Sequence, residues 1–199
     1  MKKLIPPDAV LVPDGATRVF QGEIFGVYQW PQQLFDGSTD TFEMLKRPDT
    51  TSVICAVNNQ IILLDEEQPH SGERLNFPGG RVDPEDADIV SAAKREVLEE
   101  TGYTFTHWRL IMVKQPIKKM EWFIHYVIAW DVQSQHETAH EPGEKITPRL
   151  LEYHDLRHRA GGLRGLSREV AELIEPYDDI AALLDAPEFS GKAVDRPPQ

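Results

Sequence analysis

Apolar positions along the chain follow two periods, and the switches between them divide it into elements. TRVFQGEIFGVYQW, from 17 to 30, is aromatic and β-branched with a glycine-containing break. It predicts a strand pair beside the main core. After the polar stretch DGSTDTFEMLKRPDT, the runs TSVICAV and QIILLDEE flank Asn58-Asn59 and predict a tight hairpin. ERLNF reads as a short strand entering Pro78-Gly79-Gly80, a loop runs to about 88, and AAKREVLEETG carries helix formers that stop at Gly102. FTHWRLIMVK and KMEWFIHYVIAWDV predict two more strands around Pro116, QSQHETAHEPGEK a long loop, and ITPRLLEY a last strand. SREVAELIEPYDDIAALLDA has helical spacing with Ser167 as its N-cap, and GKAVDRPPQ is expected to be a flexible tail. Strands and helices interleaved without a regular βαβ repeat indicate an α+β, mixed-sheet sandwich.

Composition narrows the function. With 33 acidic against 21 basic residues the formal charge is −12, which argues against nucleic acid or anionic lipid as a partner. An anionic substrate would have to be drawn in by something other than net charge. Cys55 is the one cysteine, so no intrachain disulfide forms and a reducing, cytoplasmic setting is expected. Pro6, Pro7 and Asp8 interrupt the apolar run that a signal peptide would need. No window approaches eighteen apolar residues, so no membrane span is expected.

The acidic helix invites a geometric reading. At about 100° per residue, Glu96 and Glu100 fall about 40° apart and Glu99 about 60° to the other side of Glu96. Three carboxylates on one arc repel, and a hard divalent cation such as Mg²⁺ or Mn²⁺ takes all-oxygen ligands of this kind. A run of Glu on a helix is ordinarily a solvated face. Here the cluster follows a Gly-Gly loop, and Arg95 can reach back to Glu85 or Asp86. Val90, Ala93 and Val97 recur at helical spacing on a side fit for the core.

These residues resemble the signature of the Nudix hydrolases. Gly80 opens it, and Arg95-Glu96-Val97-Leu98-Glu99-Glu100-Thr101-Gly102-Tyr103 matches its second half, with Tyr103 in place of the final aliphatic residue. Gly80 to Arg95 is one residue longer than the pattern, and Glu85 or Asp86 stands for its loop glutamate. The resemblance implies the α/β/α sandwich of that family and metal-dependent hydrolysis of a nucleoside diphosphate linked to another group. It implies metal ligation by Glu96, Glu99, Glu100 and the Gly79 carbonyl. The order of the remaining segments is similar to the ADP-ribose pyrophosphatase branch, which implies ADP-ribose or a nucleotide sugar as substrate. It also implies an N-terminal β extension over 1–48 that serves a homodimer, a catalytic domain over 49–187 and a tail over 188–199. Coenzyme A or dinucleoside polyphosphates are the competing substrates, since FPGGRVDPEDAD is similar to the box of coenzyme A pyrophosphatases. A non-catalytic nucleotide sensor and an allylic diphosphate isomerase are the readings from other classes.

Within that resemblance, Arg95, Glu99 and Glu100 are the catalytic candidates on the helix. Glu144 is the candidate general base from the distal loop, with Glu141 and Glu137 behind it. Arg74 and Arg81, on either side of the glycines, are candidates for holding phosphates. Phe25, Tyr28 and Trp30 either stack on a base or pack within their sheet. The histidines at 107, 125, 136, 140, 154 and 158 show no zinc-type spacing with cysteines.

Overall fold

The computed structural model describes residues 2–68, 72–138, 145–159 and 172–195. Its centre is a sheet ordered β11-β6-β5-β10-β8, built from β5 (Thr50–Val57), β6 (Gln60–Gln68), β8 (Tyr103–Lys114), β10 (Ile124–Gln135) and β11 (Lys145–Glu152). β7 (Gly72–Asn76) pairs with the far half of β6. β5 and β10 run parallel and the remaining pairs antiparallel, so the sheet is mixed. The Asn58-Asn59 turn forms as expected, Asn58 taking the left-handed φ of 55° that asparagine tolerates.

Both faces of this sheet are apolar, which is why its central strands read as unbroken hydrophobic runs. Along β5, Val53 and Cys55 point to one side and pack with Ala93 and Val97 of helix α1 (Ile89–Thr101). Ile54 and Ala56 point to the other, against Leu156 of α2 (Tyr153–Arg159) and Leu183 of α3 (Ile180–Leu184). Each fully buried Leu or Ile contributes about 1.5–3 kcal/mol. The result is a helix, sheet, helix sandwich.

Two smaller sheets flank it. β2 (Thr17–Gln21), β3 (Gly26–Gln33), β4 (Thr39–Lys46) and β9 (Met120–Glu121) form one, in that order. β4 lies inside the stretch that reads as merely polar, because four of its eight residues are exposed and only Met44 and Lys46 are buried. β1 (Lys2–Ile5) pairs antiparallel with β12 (Lys192–Asp195). The expected tail is therefore corrected over 188–195, the described part of 188–199. Phe189 donates its N–H to the Leu110 carbonyl and Val194 packs on the core, contacts between chain ends that no local pattern announces. Ser167 lies outside the described residues; α3 is capped by Asp179, whose carboxylate accepts from Ala182 N–H at 2.8 Å.

Candidate active site

Helix α1 is placed by its two ends. Asp88 caps the start, accepting from the Ser91 N–H at 2.7 Å. Gly102 closes the end at a φ of 74° and donates to the Leu98 carbonyl. Ile89, Ala92, Ala93, Val97 and Thr101 are the buried positions. Ala93 and Val97 are buried as expected, while Val90 is only half-buried and Ile89 takes its place in the inward stripe. The opposite arc carries Arg95, Glu96, Glu99 and Glu100.

Arg95 joins the loop to the helix. Its guanidinium donates to both carboxylate oxygens of Asp86, at 3.2 and 2.9 Å, to the Arg81 carbonyl at 2.9 Å and to Glu96 at 2.8 Å. Asp86, rather than Glu85, is thus the loop acid that meets it. Burial would raise the Asp86 carboxyl, but Arg95 and the Asp83 N–H outweigh it and hold the group below its ordinary value. Arg95 is in turn held more firmly protonated, chiefly by Asp86.

The carboxylates differ in their surroundings. Burial pushes Glu96 above the ordinary carboxylate range against the pull of Arg95. A Cβ on Gly80 would stand 2.6 Å from the Glu96 carboxyl atoms, so glycine lets the loop lie directly on that acid. Gly79, at φ 140°, is pressed on the Thr51 carbonyl in the same way. The Gly79 N–H donates to Glu100 at 2.7 Å. The carbonyls on either side of Gly79 are engaged, Pro78 by Val53 N–H and Gly80 by Thr51 N–H. Glu99 is more exposed than Glu96, at 46% against 15% of its side chain, and lies 3.5 Å from Arg95.

Among the described residues, no three His, Cys, Asp or Glu side chains converge as a ready cation cage. The reason is local: Glu96 and Glu99 face Arg95, and Glu100 faces the Gly79 N–H. The donor chemistry nonetheless fits a hard divalent cation, being all oxygen and concentrated on one helical turn beside a half-buried carboxylate that a cation would stabilise.

Beside this loop lies a group that the sequence did not single out. The Arg47 guanidinium sits 4.8 Å from the Trp122 ring centroid and 5.6 Å from that of Phe25, which is exposed. Burial first, and then the nearby positive charge of Arg81, lower the pKa of Arg47, with Asp49 partly offsetting them. No carboxylate pairs with Arg47 among the described residues. Arg81 pairs with Asp83 at 2.7 Å and lies opposite Thr50 in an isolated bridge. Two arginines therefore flank the glycine loop, one of them between aromatic rings. A motif-based search misses Arg47 because it stands 33 residues before Gly80. Its one local signal is a basic pair before a proline, Lys46-Arg47-Pro48.

The other candidates are dispersed. Arg74 stands on β7 opposite Glu66 and lines a cleft of about 770 Å³ with Asp65, Glu67, Glu73 and Lys145, with no bond to α1 among the described residues. Trp30 packs on Phe42 at 5.1 Å and Tyr28 lies under Lys46, so both serve their sheet. Glu137 is exposed beside Gly102, at the far end of α1. Glu141 and Glu144 lie outside the described residues.

The fold and these residues can be set against known proteins. The NUDIX domain model matches residues 46–174. Over 52 residues the chain is 40% identical to the mitochondrial coenzyme A diphosphatase NUDT8 of Mus musculus, a match that covers 26% of this chain and only 24% of that protein. A crystal structure of an ADP compounds hydrolase is similar at a TM-score of 0.62 and 19% identity, over 81% of this chain and 89% of the other. A NUDIX hydrolase from Nitrosomonas europaea is similar at 0.51 and 20%, over 63% and 84%. With the domain matched across well over half its length and the fold shared with these structures, the chain belongs to the Nudix hydrolase family.

Proposed function

We propose that this protein hydrolyses the diphosphate bond of a nucleoside diphosphate joined to a second group, with ADP-ribose or a nucleotide sugar as the substrate class. The products are a nucleoside monophosphate and a phosphorylated second fragment. The observation that carries the proposal is the placing of Arg47 and Arg81 beside the glycine loop and the acidic turn of α1. A chain of charge −12 needs such a local cationic site to hold a diphosphate. The exposed Phe25 ring beside Arg47 suits a planar base.

A magnesium or manganese ion held by Glu96, Glu99, Glu100 and the Gly79 carbonyl would neutralise the bridging phosphates and acidify a bound water. Arg95 keeps the loop on the helix so that these oxygens share one face. Arg47 and Arg81 orient the diphosphate, and a glutamate takes the proton from the attacking water. Glu100 on the helix and Glu144 in the distal loop are the candidates for that base.

A second reading is favoured by the 40% match to a coenzyme A diphosphatase, in which the same group holds the diphosphate of coenzyme A. The charge of the chain supports a small anionic substrate over nucleic acid, and the lone buried Cys55 supports a cytoplasmic setting. A homodimer formed through the β2-β3-β4 sheet is also proposed, since Val19, Phe20 and Phe35 expose apolar surface there. A turnover panel with magnesium or manganese tests the reading, using ADP-ribose, nucleotide sugars, coenzyme A, dinucleoside polyphosphates and nucleoside triphosphates with products weighed by mass. AMP and ribose 5-phosphate are expected. Cleavage of coenzyme A alone would favour the second reading, and turnover of nothing would refute both.

A further inference from the structure

Behind the arginine group lies a charge that the proposed reaction does not use. Asp49, two residues after Arg47, is 3% exposed. Its carboxylate accepts from the Phe123 N–H at 3.1 Å and pairs with Lys3 of β1 at 2.7 Å. Its carbonyl accepts from the N–H of Val82, the neighbour of Arg81. Asp49 thus touches both halves of the arginine group, Arg47 through the chain and Arg81 through the Val82 hydrogen bond. The other titratable group facing the pair is His125, which is fully buried. Burial lowers its pKa against the pull of Asp49, so it brings no positive charge. The offset to Asp49 comes from Lys3, a side chain 46 residues away in sequence.

We propose that Lys3 and Asp49 are a paired charge behind the anion subsite formed by Arg47 and Arg81, and that Lys3 sets the field this subsite presents to an anion. The inference rests on the reading of that subsite as the seat of the diphosphate. Lys3 cancels a buried negative charge that would otherwise weaken the field of the two arginines on an anion. The strand β1 thereby acts on substrate affinity without touching substrate. It is itself held in place by β12.

The pair makes a prediction of sign that a purely structural role does not. The probe is α,β-methylene-ADP, whose bridging carbon resists hydrolysis, titrated calorimetrically at pH 8 with magnesium into the full chain. Lys3→Met should weaken binding by about three- to ten-fold, the size expected of one partly screened charge near the site. Asp49→Asn should tighten it, because the positive charge of Lys3 is then uncompensated. Lys3→Met with Asp49→Asn removes both charges, which avoids leaving one buried and unpaired. It should bind within two-fold of the parent, and Lys3→Arg should match the parent. Weaker binding in both single variants, or parent-like binding in Lys3→Met, would overturn the pair. Arg47→Ala separates the two claims. Unchanged affinity there would sink the subsite reading and this inference with it, whereas weakened affinity there beside an unaffected Lys3→Met would sink the inference alone.

Discussion

Replacing Arg95 with methionine removes the clamp between loop and helix while keeping an unbranched apolar stem. Five hydrogen bonds are lost, two to Asp86 and one each to Glu96, Glu99 and the Arg81 carbonyl. Charge-assisted bonds contribute about 1.5–3 kcal/mol each, but they are not additive. Removing one partner of a fully buried pair costs about 3–5 kcal/mol. Here the Asp86 side chain is 8% exposed and that of Arg95 30%, which scales the expectation to about 2–3 kcal/mol. For a chain of this size that is a fall in Tm of about 4–12 °C. Urea unfolding followed by tryptophan fluorescence measures the loss, and a cycle with Asp86→Asn isolates the pair. The expected coupling between the two sites is at least about 1 kcal/mol. A loss below about 0.5 kcal/mol, or strictly additive single variants, would show that the loop is held by its backbone alone and that the clamp reading is wrong.

Other consequences follow from the same contacts. The Asp86 carboxyl is held below its ordinary 3.8 in the fold, so its contribution is present above that pH and is lost as pH falls through the lowered value. Acid unfolding of Asp86→Asn should therefore be flatter below about pH 4 than that of the parent. Tyr153, buried and donating to the carbonyls of Ile174 and Tyr177, has its pKa pushed up to about 12. Its stabilisation is complete below pH 10 and declines between 10 and 12, and Tyr153→Phe should cost about 1–2 kcal/mol and abolish that decline. Gly80→Ala would drive a methyl group onto the Glu96 carboxyl. It should lower kcat/KM by at least about ten-fold as the loop is displaced from the acidic turn, measured with the substrate that the panel identifies.

The sequence made the core hairpin, the acidic helix and its glycine stop legible, because each carries a local signal: Asn58-Asn59 between β-branched runs, and Gly102 after an apolar stripe. β4 was hidden because Thr39, Asp40 and Thr41 are all exposed, so alternation shows only over its second half. The pairing of β12 with β1 was hidden because it joins the two ends of the chain. In the site, the spacing of Glu96, Glu99 and Glu100 could be read directly, but their hydrogen-bond partners could not. Three dimensions were needed to choose Asp86 over Glu85, since both lie within reach of Arg95 along the chain. Arg47 and Trp122 are 75 positions apart and meet because β4 pairs with β9, Lys46 beside Glu121, with the Arg47 N–H donating to the Glu121 carbonyl at 3.3 Å. Arg74, close to the glycines in sequence, stands on another face because strand β7 carries it there.

The central claim is that the acidic turn of α1 is the seat of metal-dependent diphosphate hydrolysis. The most direct measurement is release of AMP from ADP-ribose by the parent and by Glu100→Gln, each with magnesium and with EDTA, beside a thermal unfolding scan of both proteins. The parent should turn over substrate only with metal, Glu100→Gln should lose at least about a hundred-fold, and both proteins should be folded. Magnesium-dependent turnover by Glu100→Gln at the parent's rate would contradict the claim.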